Sequence, residues 1–436
     1  MISSAGTEAV TSPVAARVRD ALRVARHAQH TWEKLPVAKR ARLVNGLRHQ
    51  IAEHATSLAT ASAAASARPI AEKLVSEVLP LADACRFLGR NGAQILRRQR
   101  FGRSGRPVWL TGSFFEIERK AFGVVLIVAP RNYPLFLPVV QMLHALVAGN
   151  AVLVKPAANG SGPVVEFVKR VLAGSGIPAE LIQVLPEAVD AAHEAVRAGA
   201  DKVIFTGNSE NGRDLLATMA TRNTPGVMEL SGADAVFVLH DADLDRAAKA
   251  IAFGLRLNAG DTCMAPHAIF ADAAIAAELL EHLQCAGCGH LEITTVPNAR
   301  EALDLAASSE HGLGASIFSR DENAARAFAR ELHTGFVTIN DIIVPTADPR
   351  FPFGGTRSSG YGITRGAAGL LEMTFPHVIA LRRGNRSPHL EDTAPGDEAI
   401  FASYIALAHR RDARGKFRAA RRLLAAARGR LSRRKS

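Results

Sequence analysis

Apolar positions along the chain change period near residue 120. Between Ala15 and Gln99 they recur at three- and four-residue steps, at Val18, Ala21, Leu22 and Ala25 and again at Leu43, Leu47 and Ile51, which predicts amphipathic helices. Residues 103–118 read as extended chain, with Gly-Arg-Pro and Thr-Gly as turn material. Short unbroken apolar runs follow at 123–128, 151–154, 181–185 and 202–205, of the kind carried by strands covered on both faces. Helical stretches at 138–147, 162–173 and 188–198 separate them. Strand and helix in alternation predict a parallel sheet with crossover helices, an α/β fold. A second α/β series is expected from strands at 235–239, 268–270, 291–296, 315–318 and 336–339, with helices at 243–257, 299–308 and 322–332. Residues 386–398, with two Pro and four acids, read as a linker.

One apolar stretch, 135–154, has the length of a membrane span. Pro138, Gln141, His144 and the Gly149-Asn150 turn interrupt it, so a buried helix, a turn and a buried strand are the better reading. At 436 residues the chain is long enough for two domains. Four cysteines cannot build a disulfide scaffold and point to a reducing compartment, and residues 1–20 lack the apolar core of a secretory signal. A cytoplasmic location is expected.

The net charge of +12 changes this picture only at one end. Residues 410–435 hold twelve Lys or Arg against the single acid Asp412, which leaves the body of the chain near neutral. With only 6% aromatic residues as well, no nucleic-acid partner is expected. Within the tail, Phe417, Ala420, Leu424, Ala427 and Leu431 fall on one helical face among Arg414, Arg418, Arg421, Arg422 and Arg428. That pattern suits either a peripheral helix on an anionic, inner membrane surface or a solvated basic end.

Three side chains stand out chemically. Cys263 lies in Asn-Ala-Gly-Asp-Thr-Cys (258–263), a polar turn where a thiol can be reached, although free cysteines are commonly structural. Glu229 lies in Met-Glu-Leu-Ser-Gly (228–232), and Asn132 follows a buried strand in Ala-Pro-Arg-Asn-Tyr-Pro (129–134), where a parallel sheet places ligands. Each alone reads as a surface charge or a turn-former. Together a thiol, a carboxylate and an amide supply a nucleophile, a base and an oxyanion donor for attack on a carbonyl.

Asn132-Tyr-Pro, Lys155-Pro, Phe205-Thr-Gly, Glu229-Leu-x-Gly, Gly260-x-x-Cys263 and Pro352-Phe-Gly-Gly stand in the order found in the aldehyde dehydrogenase superfamily, and residues 15–383 resemble it. Thr262-Cys-Met-Ala-Pro and Ile339-Asn-Asp-Ile look most like the class 3 branch, which acts on fatty and aromatic aldehydes. The resemblance implies Cys263 as nucleophile, Asn132 with the Cys263 N–H as oxyanion donors, and Glu229 as the base that releases the acid. It implies NAD or NADP held by Lys155, Gly207, Asn208, Pro130 and Phe353. It also implies N-terminal helices and a cofactor domain over 1–230, a catalytic domain over 231–371, and a linker and tail over 384–436. A hairpin near 107–118 and a strand over 372–383 would link a homodimer.

Several residues depart from that family pattern. Arg131 precedes Asn132 where an aromatic residue is usual, Asp261 stands where Gln or Glu is common, and Ala158 replaces a ribose-binding Glu. Asn208 replaces a Ser. Between Cys263 and Asn340 the chain is short and lacks Glu-x-Phe-Gly-Pro, which implies a reduced catalytic domain and a loosely held nicotinamide. The nearby Cys285-x-x-Cys288 is a single pair and is not read as a metal site. The competing reading is a non-catalytic scaffold used for binding or assembly.

Overall fold

The computed structural model describes residues 12–158, 161–289, 291–384, 390 and 392–433. Strands β1 (Val124–Val128), β2 (Ala151–Lys155), β3 (Ile182–Val184), β4 (Lys202–Thr206) and β5 (Gly226–Glu229) form a parallel sheet of order β5-β4-β1-β2-β3. Gly360–Tyr361 adds to its β5 edge antiparallel, with Gly360 opposite Glu229. Crossovers run in opposite directions from β1, so the connections that leave the carboxyl ends of β1 and β4 part and leave a crevice there. Val128 and Lys155 are register partners at one side of it. Thr206 and Glu229 are partners at the other.

The membrane-like stretch resolves as a helix, Phe136–Ala148, with every residue buried, followed by Gly149 in the left-handed region and then β2. A helix buried on every face needs cover on all sides, and its last carbonyls need donors. The N-terminal helices Pro13–Trp32 and Val37–Glu53 supply both. Trp32 Nε1 donates to Leu146 O at 2.8 Å, Arg40 Nε to Val147 O at 3.0 Å and Gln29 Nε2 to Gly149 O at 3.1 Å.

A second parallel sheet comprises β6 (Asp234–Val238), β7 (Pro266–Asp272), β8 (Ile293–Val296), β9 (Gly314–Phe318) and β10 (Phe336–Ile339), in the order β8-β7-β6-β9-β10. It repeats the winding of the first. Phe237 anchors its interior, stacked on Phe270 at 5.3 Å and tilted against Phe328 at 4.8 Å.

The chain divides into two compact units, Met1–Arg100 with Glu116–Ile379, and Phe101–Phe115 with Ala380–Ser436. The first holds both sheets. Three segments differ from the sequence expectation. The hairpin strands are Gln99–Phe101 and Ser113–Ala121, with a short 3-10 turn at Val108–Leu110 where extended chain was expected. They join Thr374–Arg382 in a three-stranded sheet. Asp397–His409 is a helix that begins inside the expected linker. It packs on the basic helix Ala413–Arg433, which buries Gly415 and Ala419 and leaves Phe417 and Leu424 exposed. The side chain of Leu431 lies outside the described residues. Among the described residues no helix is long and apolar enough to cross a membrane.

Candidate active site

The three chemically conspicuous residues come from separate elements and meet at the carboxyl end of the first sheet. Asn132 follows β1, Glu229 ends β5, and Cys263 sits in the loop before β7; all three line one groove of about 540 Å³. The Cys263 loop is held in an uncommon backbone conformation, with Asn258 (φ 52°), Ala259 (φ 53°) and Gly260 (φ 77°) all left-handed. Two non-glycine residues there store strain that the surroundings must hold. On its other side the loop touches Gly232, where a Cβ would stand 2.3 Å from the Cys263 carbonyl oxygen, so only glycine fits.

The hold on this loop comes from an ion pair that sequence reasoning missed. Lys73, which ends the helical turn Ile70–Lys73, and Glu77, on the π-helical turn Leu74–Val78, are fully buried and 3.0 Å apart. Lys73 Nζ donates to Asn258 Oδ1 at 3.2 Å and to Asn132 O at 3.4 Å. Glu77 Oε2 accepts from Leu135 and Phe136 N at 2.8 Å each, at the start of the buried helix. Glu72 Oε1 accepts from Asn258 N at 2.9 Å. One buried pair thus fixes both the Asn132 turn and the Cys263 loop. Lys73→Met is expected to lower unfolding stability by about 3–5 kcal/mol, because Glu77 is left as an unpaired buried charge. Urea denaturation checks this; a loss under about 1 kcal/mol contradicts it. In the sequence, Lys73 and Glu77 are an i,i+4 pair like many surface pairs, and only their partners in distant segments distinguish them.

Asn132 Oδ1 accepts from Tyr133 N at 3.0 Å, and Nδ2 donates to Asp261 O at 3.1 Å, which leaves a second Nδ2–H. Two departures from the family pattern pair with each other: Arg131 Nη2 lies 3.0 Å from Asp261 Oδ2, linking the same two loops at the surface. Glu229 is 2% exposed, and the Thr364 hydroxyl acts on its carboxyl. Burial pushes its carboxyl above the usual range, against the pull of Arg365. Cys263 is half-buried. Its surroundings push the thiol up, through desolvation first and then the carboxylates of Glu229 and Asp234, with Arg365 opposing. Asp234 is buried, with Oδ1 accepting from Gly314 N, and its carboxyl is pushed up to about 7 by burial.

The groove continues from these residues along the crevice between β1 and β4. Pro130, Lys155, Gly207 and Asn208 line it, as do Ala158 and Asn211. Asn208 caps the helix Ser209–Ala220 by accepting from Asn211 N at 2.8 Å, and the remaining free N–H groups of that first turn suit a pyrophosphate. Gly207 N donates to Glu229 O at 3.1 Å, which couples this turn to the strand that carries the carboxylate. Burial holds the Lys155 ammonium below its ordinary value, with Glu187 acting in the opposite direction. A dinucleotide fits this set: a crevice at a switch point, a cation at one end and a helix start at the centre. His267, which the sequence did not single out, is exposed in the same groove, with Nδ1 bonded to Ala265 O at 2.7 Å.

Phe353 lies elsewhere. It lines a separate cavity of about 210 Å³ that approaches Cys263 and Glu229 and is walled by Tyr133, Phe136, Leu137, Leu257, Met264 and Ile343. Arg365 also lines it, a charge that sequence reasoning passed over inside the Gly-rich stretch after Pro352-Phe-Gly-Gly. Cys263 and Glu229 therefore stand where a polar groove and an apolar tunnel meet.

Comparisons with known proteins bear on this arrangement. The model of the aldehyde dehydrogenase family matches residues 6–286 and 291–379. A 4,4'-diapolycopene aldehyde oxidase of Methylomonas sp is 28% identical over 443 residues, covering 86% of this chain and 83% of that protein. The dimeric NADP-preferring aldehyde dehydrogenase of Rattus norvegicus is 26% identical over 329 residues, covering 60% of this chain and 72% of that protein. The crystal structure of an NAD-dependent aldehyde dehydrogenase from Sinorhizobium meliloti superposes with a TM-score of 0.79 at 23% identity, covering 86% of this chain and 89% of that one, which shows a shared fold. With a thiol, a carboxylate and a crevice that fits a dinucleotide on one scaffold, the chain belongs to the aldehyde dehydrogenase family and is an NAD- or NADP-dependent oxidoreductase acting on the aldehyde group.

Proposed function

We propose that the chain oxidises an apolar, extended aldehyde to the free carboxylic acid, with Cys263 as nucleophile, Asn132 as oxyanion donor and Glu229 as the base for hydrolysis. The observation that carries the substrate class is the tunnel. Its walls are aromatic and aliphatic, and at its rim Val75, Phe253 and Val344 are exposed apolar side chains. The name of the Methylomonas relative, an oxidase of 4,4'-diapolycopene aldehyde, supports the same class.

In this reading the aldehyde enters with its chain along the tunnel and its carbonyl at Cys263. The thiolate adds to the carbonyl carbon, and the free Nδ2–H of Asn132 with the Cys263 backbone N–H receives the oxyanion, a contact commonly worth about 3 kcal/mol. A nicotinamide cofactor held in the crevice would supply hydride acceptance. Lys155, Gly207, Asn208 and Pro130 would hold that cofactor along the crevice, while Phe353 would serve the tunnel. Glu229 then takes a proton from water, which attacks the thioester and releases the acid.

Residues 1–230 would form the helical and cofactor-binding part, 231–371 the catalytic part, and the strand Thr374–Arg382 with the hairpin the contact between two subunits of a homodimer. The name of the rat relative supports a dimer, and a sedimentation coefficient of a monomer at micromolar concentration would remove it. The basic helix Ala413–Arg433, with Phe417 and Leu424 exposed among arginines, would give a cytoplasmic protein a peripheral contact with anionic membrane. Truncation of residues 409–436 should then abolish salt-sensitive co-sedimentation with anionic liposomes.

A homologous series of straight-chain aldehydes, assayed with NAD and with NADP, tests the substrate class. Each methylene that enters an apolar tunnel contributes about 0.8 kcal/mol, so kcat/KM should climb about fourfold per methylene until the chain outgrows the tunnel. A flat series, or a preference for short polar aldehydes, would overturn it.

A further inference from the structure

Arg365 is a buried guanidinium, the one cation among the described residues lining a mostly apolar cavity. It is 5% exposed, lies over the Phe353 ring at 4.0 Å and the Phe136 ring at 5.6 Å, and donates from Nη1 to Thr346 O at 2.6 Å. Its Nε has no hydrogen-bond partner among the described residues, and the Glu229 carboxyl is acted on by Arg365 and by the Thr364 hydroxyl. Arg365, Glu229 and Cys263 line the same cavity. A charge is kept in such a place only against a partner of opposite sign. The carboxyl of Glu229 and the thiol of Cys263 are the groups whose ionisation acts on Arg365.

We infer that Arg365 is a positioning residue for the oxidation, balancing the single negative charge that Cys263 and Glu229 share. The inference rests on the roles proposed above for those two residues. In the resting arrangement the three groups are guanidinium, thiol and carboxylate. When the Cys263 thiol ionises and its proton is relayed through solvent to Glu229, they become guanidinium, thiolate and carboxylic acid, and Glu229 gives that proton up to solvent before it serves as the base for hydrolysis. One positive and one negative charge are present in both arrangements, so the transfer leaves no unbalanced ion in the tunnel. Without the guanidinium either arrangement buries a lone anion, and the site instead holds its proton to higher pH.

The other titratable groups around the cluster do not supply this balance. His144, beside Arg365 on the buried helix, has its ring pKa lowered to about 4 by burial and is neutral. Asp234 adds negative charge as it ionises near pH 7, which opposes the thiolate. Tyr133 is held as the neutral phenol by burial, its hydroxyl 2.9 Å from Thr262 Oγ1. Lys73 lies 5.3 Å from the far side of the Tyr133 ring and is paired with Glu77. Arg365 is the cation left for this task among the described residues lining the tunnel.

The pH dependence of Cys263 alkylation by iodoacetamide, read by mass spectrometry on the peptide carrying Cys263, tests this without turnover. Arg365→Met and Arg365→Gln should each move the midpoint up by one unit or more, about a tenfold slower reaction at a fixed pH on the rising limb. Arg365→Lys should bring the midpoint most of the way back. Cofactor binding reports that the fold of each variant is intact. Should neither neutral variant fold, the Lys variant decides alone: a midpoint near wild type supports the inference and one raised by a unit or more overturns it. A wild-type midpoint in both neutral variants overturns it as well, whatever happens to turnover. If instead the nucleophile is misassigned, alkylation of Cys263 leaves turnover intact, a result separate from any shift of midpoint.

Discussion

Cys263→Ala is expected to abolish NAD(P)H formation from aldehyde, a loss of at least about 10⁴-fold that leaves no pre-steady-state burst. Without the sulfur no covalent adduct forms, and no other cysteine can stand in: Cys85 is buried among the N-terminal helices, and Cys285 and Cys288 lie at the end of a helix in the second sheet's layer. Binding should survive. The crevice residues Lys155, Gly207 and Asn208 are untouched, so cofactor affinity measured by fluorescence should match wild type within about twofold, or about 0.4 kcal/mol. Loss of activity with retained binding separates a missing nucleophile from a disturbed fold. Residual turnover near the wild-type rate would remove Cys263 from the mechanism.

Much of this arrangement was legible before any coordinates. The alternation of apolar runs and helical stretches located nine of the ten parallel strands, because strands covered on both faces must be continuously apolar. Gly226–Glu229 escaped, since a four-residue strand ending in a carboxylate carries no such run. Periodicity also missed the helix Asp397–His409: its apolar residues are spread around the axis, and Gly396 at φ 98° opens it without a side-chain cap. Motifs local in the sequence singled out Asn132, Glu229 and Cys263, the three residues that the structure brings to one groove. It was not legible where a group acts through distant partners. Lys73 and Arg365 gain their meaning from burial and from neighbours far along the chain, which no spacing records.

Glu229→Gln should separate the two halves of the reaction. Gln keeps the volume of the side chain but cannot take a proton from water; the thiol, with Arg365 facing it, loses its proton to solvent instead, so acylation proceeds and hydrolysis stalls. The expected trace is a burst approaching one NAD(P)H per site, followed by steady turnover reduced about 10²–10⁴-fold. The pH dependence gives an independent check. Burial raises the Glu229 carboxyl above its ordinary value, with Arg365 pulling against it. Hydrolysis needs the deprotonated form, so wild-type kcat should rise with pH through that raised value and then level off. The variant lacks the titrating group, and its slow steady phase should lose this limb. Thiol reactivity should move the other way: with the carboxylate gone, Arg365 faces the thiolate alone, and the midpoint for Cys263 alkylation should fall. Trapping the stalled species as an acyl adduct on the Cys263 peptide would complete the assignment. Equal loss of burst and turnover, with the pH limb retained, would mean that some other group activates the water.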